Sequence, residues 1–166
     1  MLINLLISFV GIGVIFVILL LAGLLYKRML ITVETVSAGC VDGHCVCPTT
    51  STISPFETFY HDGKRVNPKN YTIKKVDGDC MMPRGINAGD LLFIENFDKQ
   101  NISSLNIGDI LYIYHEKGNF YKIREYRGFK DDENFNTLYY TREGKAKDSV
   151  HNINNVKGVV KMKFTA

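Results

Sequence analysis

Between Leu5 and Leu25 the chain carries no charged side chain and a single serine, Ser8. As an α-helix this run would extend about 31 Å, close to the ~30 Å hydrocarbon thickness of a bilayer. Gly11, Gly13 and Gly23 fit such a helix, where small residues allow close approach of a neighbour. A cleaved secretory signal would begin with basic residues and have a shorter core of about 7–15 apolar residues. Residues 1–4 hold no charged side chain. The run is therefore expected to be one retained transmembrane helix, with the lipid bilayer as a partner. Lys27 and Arg28 follow it, and the positive-inside rule then places the remainder of the chain in the cytoplasm.

The 166 residues suffice for this anchor and one domain. With 20 Lys+Arg against 17 Asp+Glu, the formal charge of +3 is too small and dispersed for a nucleic-acid partner. Tyr 9 and Phe 10, with no Trp, suit a β-rich core. The expected organisation is an anchor with basic flank over 1–28, a strand and Cys/Ser/Thr/Pro-rich linker over 29–58, and a mainly β domain over 59–166. After a short strand within Met29–Val36, strands are expected at Tyr71–Val76, Leu91–Glu95, Ile110–His115, Phe120–Tyr126, Thr137–Thr141 and Val156–Phe164. Asp62-Gly63, Asn87-Ala88-Gly89-Asp90, Gly108-Asp109, Lys117-Gly118-Asn119 and Glu143-Gly144 mark turns.

The chemistry concentrates at Val76–Pro83, V-D-G-D-C-M-M-P. A strand ends there, Gly78 permits a turn, and Cys80 stands at it. Backbone N–H groups of Gly78, Asp79 and Met81 are the candidates for oxyanion or turn donors beside that thiol. A thiol needs a base to become a nucleophile, and a lysine serves only if burial brings its pKa down from ~10.4 towards 7 or 8. Lys122 lies on the aromatic stretch Phe120–Tyr126, where such burial is expected. Alternation places Phe120, Lys122 and Arg124 on one face. Arg124 is a rival for the place beside the thiol but cannot act as a base, because a guanidinium stays charged. An exposed strand lysine is the competing reading for Lys122, and a small buried hydrophobe the competing one for Cys80.

Four segments together resemble the serine–lysine peptidases, the type I signal peptidases and LexA-type self-cleaving proteins. Val76–Pro83 with Gly89-Asp90-Leu91-Leu92 is similar to the nucleophile box and the step after it. Ile107–Tyr112 is similar to the second box, Gly118–Glu125 to the strand bearing the lysine, and Val156–Val160 to the closing strand. The resemblance covers about residues 71–164. It implies a signal-peptidase/LexA-like β domain, a peptide or preprotein substrate cut after small residues, and a Cys80–Lys122 dyad with Cys80 where the family has serine. It implies no cofactor, and it implies a catalytic domain outside the cytoplasm, opposite to the basic-flank signal. The chain departs from the family at Gly78 and Ala146, where signal peptidases carry auxiliary serines, and Lys147-Asp148-Ser149 keeps only part of a third motif. A non-catalytic, membrane-anchored structural role is the alternative.

Val36-Ser37-Ala38-Gly39 puts small residues in the linker, and Ala38-Gly39 is the candidate bond for self-cleavage of the LexA kind; an ordinary linker has the same composition. Cys40, His44, Cys45 and Cys47 have spacings unlike the usual zinc patterns, so no metal site is expected.

Overall fold

A computed structural model describes residues 2–37, 50–54, 57–141 and 143–165. It divides into two compact units, 1–32 with 52–57, and 33–51 with 58–166.

The first unit holds the helix α1, Leu2–Met29. The side chains of α1 are described from Gly13 onward, and those of residues 13–29 are exposed. That part extends only about 25 Å at 1.5 Å per residue. Among the described residues no helix is long and apolar enough to cross a membrane. The span expected over Leu5–Leu25 is thus not carried by the described side chains.

The second unit is mainly β, as expected. The described strands of the chain, of which β1 and β2 each have two residues in the first unit, are β1 (Ile31–Ser37), β2 (Thr50–Ile53), β3 (Phe59–His61), β4 (Lys64–Val66), β5 (Thr72–Asp77), β6 (Leu91–Asn96), β7 (Ile110–His115), β8 (Phe120–Phe129), β9 (Asn134–Tyr140), β10 (Ala146–Asn152) and β11 (Val156–Phe164). Nine of them form one sheet in the order β10-β9-β8-β7-β11-β6-β5-β1-β2, and β3 and β4 pair as a separate hairpin across Asp62-Gly63. β1 also meets β8, so the strands β8-β7-β11-β6-β5-β1 close into a ring. β7 and β11 occupy their expected ranges, and β5, β6, β8 and β9 differ from theirs at the ends. The pattern of apolar alternation did not disclose β2, β3, β4 and β10, which are short or polar. β10 reads A-K-D-S-V-H-N and gains its ladder from β9, with Ser149 opposite Thr137.

Two apolar clusters fill the sheet's faces. Val36, Val76, Met81, Ile86, Leu92, Ile94, Tyr112 and Ile123 form one. Leu111, Ile113, Tyr126, Phe135, Ile153, Val156 and Val159 form the other. Phe59, Phe93 and Phe164 add an edge-to-face aromatic triangle, with ring centroids 4.8–5.0 Å apart. The central strand β11 needs glycine at 158, since a Cβ there would fall 2.3 Å from the Ile94 side chain and 2.7 Å from the Glu95 carbonyl oxygen.

Candidate functional site

The turn that carries Cys80 is held by backbone geometry. β5 ends at Asp77, and Gly78 takes φ 90°, a left-handed conformation that suits glycine. Asp79 follows in a bend, and its carbonyl accepts from the Met82 N–H at 2.9 Å. Met81 then leads into a short 3₁₀ turn, Met82–Arg84, which ends on left-handed Gly85. Below the turn, Asp90 is buried; its carboxylate accepts from the Asn87 N–H at 2.9 Å and its carbonyl accepts from the Val76 N–H at 2.8 Å. The Cys80 carbonyl accepts from the Tyr140 N–H at 2.9 Å, tying the turn to the end of β9. Cys80 itself is 5% exposed and is not in a disulfide. Met81 is fully buried in the first apolar cluster.

A second tether runs to β8. Arg84, at the end of the 3₁₀ turn, lies 3.2 Å from the Glu125 carboxylate, and Arg127 lies 3.1 Å from its other oxygen. Glu125 is 2% exposed, so this carboxylate is a buried anchor between the Cys80 turn and β8.

β8 supplies the cations. Lys122 stands opposite Ile113 and Arg124 opposite Leu111 on β7, so both side chains share a sheet face, as strand alternation requires. Lys122 is 8% exposed. Burial, and then the charge of Arg124, bring its pKa down from 10.5 to about 8. Its Nζ lies 3.4 Å from His115 Nδ1. Arg124 is buried, and its guanidinium stacks over the Tyr139 ring at 4.5 Å. Burial lowers the Arg124 pKa to about 10, against the opposing pull of Cys80 and Tyr139. The thiol thus bears on the Arg124 pKa, and Arg124 on that of Lys122.

Behind Lys122 lies a polar relay that the sequence did not single out. His151 is held down to about 3 by burial first, then by Lys122, Arg124 and His115. The imidazole is therefore neutral at pH 7. Its Nε2 lies 3.1 Å from Ser149 Oγ, which lies 2.9 Å from Thr137 Oγ1. The only sequence signal was Asp148-Ser149; nothing in the spacing pointed to His115 or His151.

β1 borders the site from another direction. It runs parallel to β5, with Glu34 opposite Lys74, Val36 opposite Val76 and Ser37 opposite Asp77. Ser37 is also the register partner of Lys122. β1 therefore spans from the strand leading to Cys80 to the strand bearing Lys122. Ala38 and Gly39 lie outside the described residues, as do Cys40, His44, Cys45 and Cys47.

The arrangement combines a buried thiol, a buried guanidinium that feels its charge, and a lysine whose pKa is brought down to about 8. Such a set can hold a thiolate and move a proton. No family model matches the chain, and no curated protein is similar to it.

Proposed function

We propose that this protein is a membrane-anchored peptidase of the signal-peptidase/LexA type that cuts a peptide bond after small residues. Cys80 is the nucleophile and Lys122 the base. Neutral Lys122 accepts the thiol proton, and the sulfur attacks the scissile carbonyl carbon. The tetrahedral intermediate collapses as the amine leaves with the proton from Lys122, giving a thioester. Lys122 then takes a proton from water, which hydrolyses the thioester and frees the thiol. Arg124 attracts the negative charge on sulfur while it is a thiolate, before the attack and as the thioester breaks. The anchor would be the uncharged run Leu5–Leu25 within α1. Processing of preproteins is the task that an anchor beside a bilayer suits.

The observation that supports this reading is the buried Lys122, with its pKa lowered to about 8, on the same strand as Arg124, whose pKa the Cys80 thiol raises. The test is hydrolysis of a peptide with small residues before the cut by full-length protein in detergent micelles. Cys80→Ala should abolish cleavage, and Lys122→Met should slow it about 10²–10⁴-fold. Cleavage that survives both substitutions sinks the dyad.

Two further readings each rest on one observation. Ser37 precedes Ala38 directly and stands opposite Lys122, which favours self-cleavage at Ala38-Gly39. Mass spectrometry should then find a fragment starting at Gly39 in the wild type and not in Cys80→Ala. Cys80 is nearly enclosed, which favours a non-catalytic structural role. In that role Cys80 should alkylate slowly, and Lys122→Met should leave its rate unchanged.

A further inference from the structure

Among the described residues no Asp or Glu lies within ion-pair distance of the buried Lys122 amine. The charged and titratable groups that act on it are Arg124 from its own strand, His151 from β10 and His115 from β7. Arg124 only donates, since a guanidinium has no acceptor. His115 Nδ1, 3.4 Å from Lys122 Nζ, is the one side-chain acceptor within hydrogen-bond distance of the amine among the described residues.

The β7–β8 pairing builds this contact. Ile113 stands opposite Lys122 and His115 opposite Phe120, so His115 is the diagonal cross-strand neighbour of Lys122 on the same sheet face. The His115 and Phe120 rings meet edge to face at 5.0 Å. The turn between the strands, Glu116–Gly118, ends on glycine, which leaves room for that packing. A Cβ at 118 would fall 2.2 Å from Phe120 Cε1 and 3.3 Å from His115 Cδ2. The imidazole is half-buried and Lys122 is 8% exposed, so the pair runs from a buried amine towards water.

We infer that His115 positions the Lys122 amine: its Nδ1 accepts one of the amine's hydrogens and so fixes the directions of the other hydrogens and of the lone pair. Nε2 then carries the imidazole proton whenever Lys122 is an ammonium and His115 is neutral. The bond favours the charged amine, and so opposes the burial and the Arg124 charge that bring the Lys122 pKa to about 8. Without that acceptor the buried amine would shed its proton at lower pH still and would turn about its Cε–Nζ bond. That the positioned amine serves peptide hydrolysis rests on the peptidase reading; the His115–Lys122 coupling does not.

Two measurements on full-length protein in detergent micelles test this, and neither needs cleavage. The chain has four histidines, and the nitrogen-15 resonances of His115 are identified by their absence from either His115 variant below. At pH 7, where Lys122 is an ammonium, the neutral fraction of His115 should be the Nε2–H tautomer; the Nδ1–H tautomer overturns the inference. Trace acetylation by acetic anhydride over a pH series, read by mass spectrometry with the exposed Lys130 as reference, gives the apparent pKa of Lys122. His115→Phe keeps a ring against Phe120 and removes the acceptor, and the Lys122 value should fall by about one pH unit or more. His115→Gln supplies an acceptor oxygen and should bring the value back towards that of wild type, which a merely structural loss would not do. A value that holds or rises in His115→Phe, or an equal fall in both variants, overturns the inference. On the peptidase reading, the ascending limb of the pH–rate profile moves to lower pH in His115→Phe by the same amount. A protein that passes both measurements yet cuts no peptide refutes the peptidase reading alone.

Discussion

Two regions of the β unit bury large side chains in opposite ways. Around β6 and β11, Phe59, Phe93 and Phe164 meet edge to face, and Tyr71 adds a ring 5.8 Å from Phe93. Each contact there removes apolar surface from water and adds about 0.5–1.5 kcal/mol of ring–ring interaction. Along β8, by contrast, Lys122, Arg124 and Glu125 are all buried within four positions. Taking such groups from water costs free energy, which the ion pairs of Glu125 with Arg84 and Arg127 only partly return. The first region holds the fold together. The second loses stability by keeping three charged groups out of water on one strand.

The contrast is broken most sharply by paired truncations. Phe93→Ala should lower the unfolding free energy by about 3–5 kcal/mol. Lys122→Met keeps the side-chain volume and removes the buried cation, so stability should hold or rise. Denaturant titration of both variants checks this; a loss in Lys122→Met equal to that in Phe93→Ala would erase the distinction between the regions.

A smaller effect is expected at the tether. Glu125→Gln leaves Arg84 and Arg127 without their carboxylate, and both arginines are nearly half exposed, which moderates the loss. The expected cost is about 1–2 kcal/mol. Because Arg84 ends the Cys80 turn, the alkylation rate of Cys80 should change in the same variant, whereas Phe93→Leu should leave it alone.

The pH dependence sharpens the comparison further. Lys122 is shifted down from 10.5 to about 8 in the fold. Between those values the unfolded chain binds the extra proton, so stability rises with pH across that window. Lys122→Met should flatten the rise. His151 is shifted down from 6.5 to about 3. The unfolded chain again binds more protons between these values, so stability falls as pH drops from 6.5 towards 3. His151→Asn should flatten that fall. If both windows persist in the variants, the buried groups of β8 and β10 do not govern the titration.

The repeated alternation and the glycine-aspartate turns made β5 to β8 and β11 legible in advance, because those strands carry enough apolar residues to show their period. β10 has too few, and its place is set by backbone bonds to β9. Cys80 and Lys122 were legible as residue types suited to a reaction. Arg124 was noted only as a rival that cannot be a base, and its burial against the Tyr139 ring emerges from the pairing of β8 with its neighbours. His151 joined the site without any local signal, since its neighbours come from β7 and β8.

The order of apolar and turn residues by itself determined that this chain makes a long apolar helix and a set of short strands, with a thiol at a glycine turn. Such features depend on near neighbours along the chain. Only the tertiary structure decided that the expected strand before the linker pairs in parallel with β5 and meets β8, that Glu34 meets Lys74, and that Lys122 is buried deeply enough to bring its pKa to about 8. Those outcomes depend on parallel pairing across nearly ninety residues of chain, roughly the separation of Ser37 and Lys122, and on the dryness that a closed ring of strands creates.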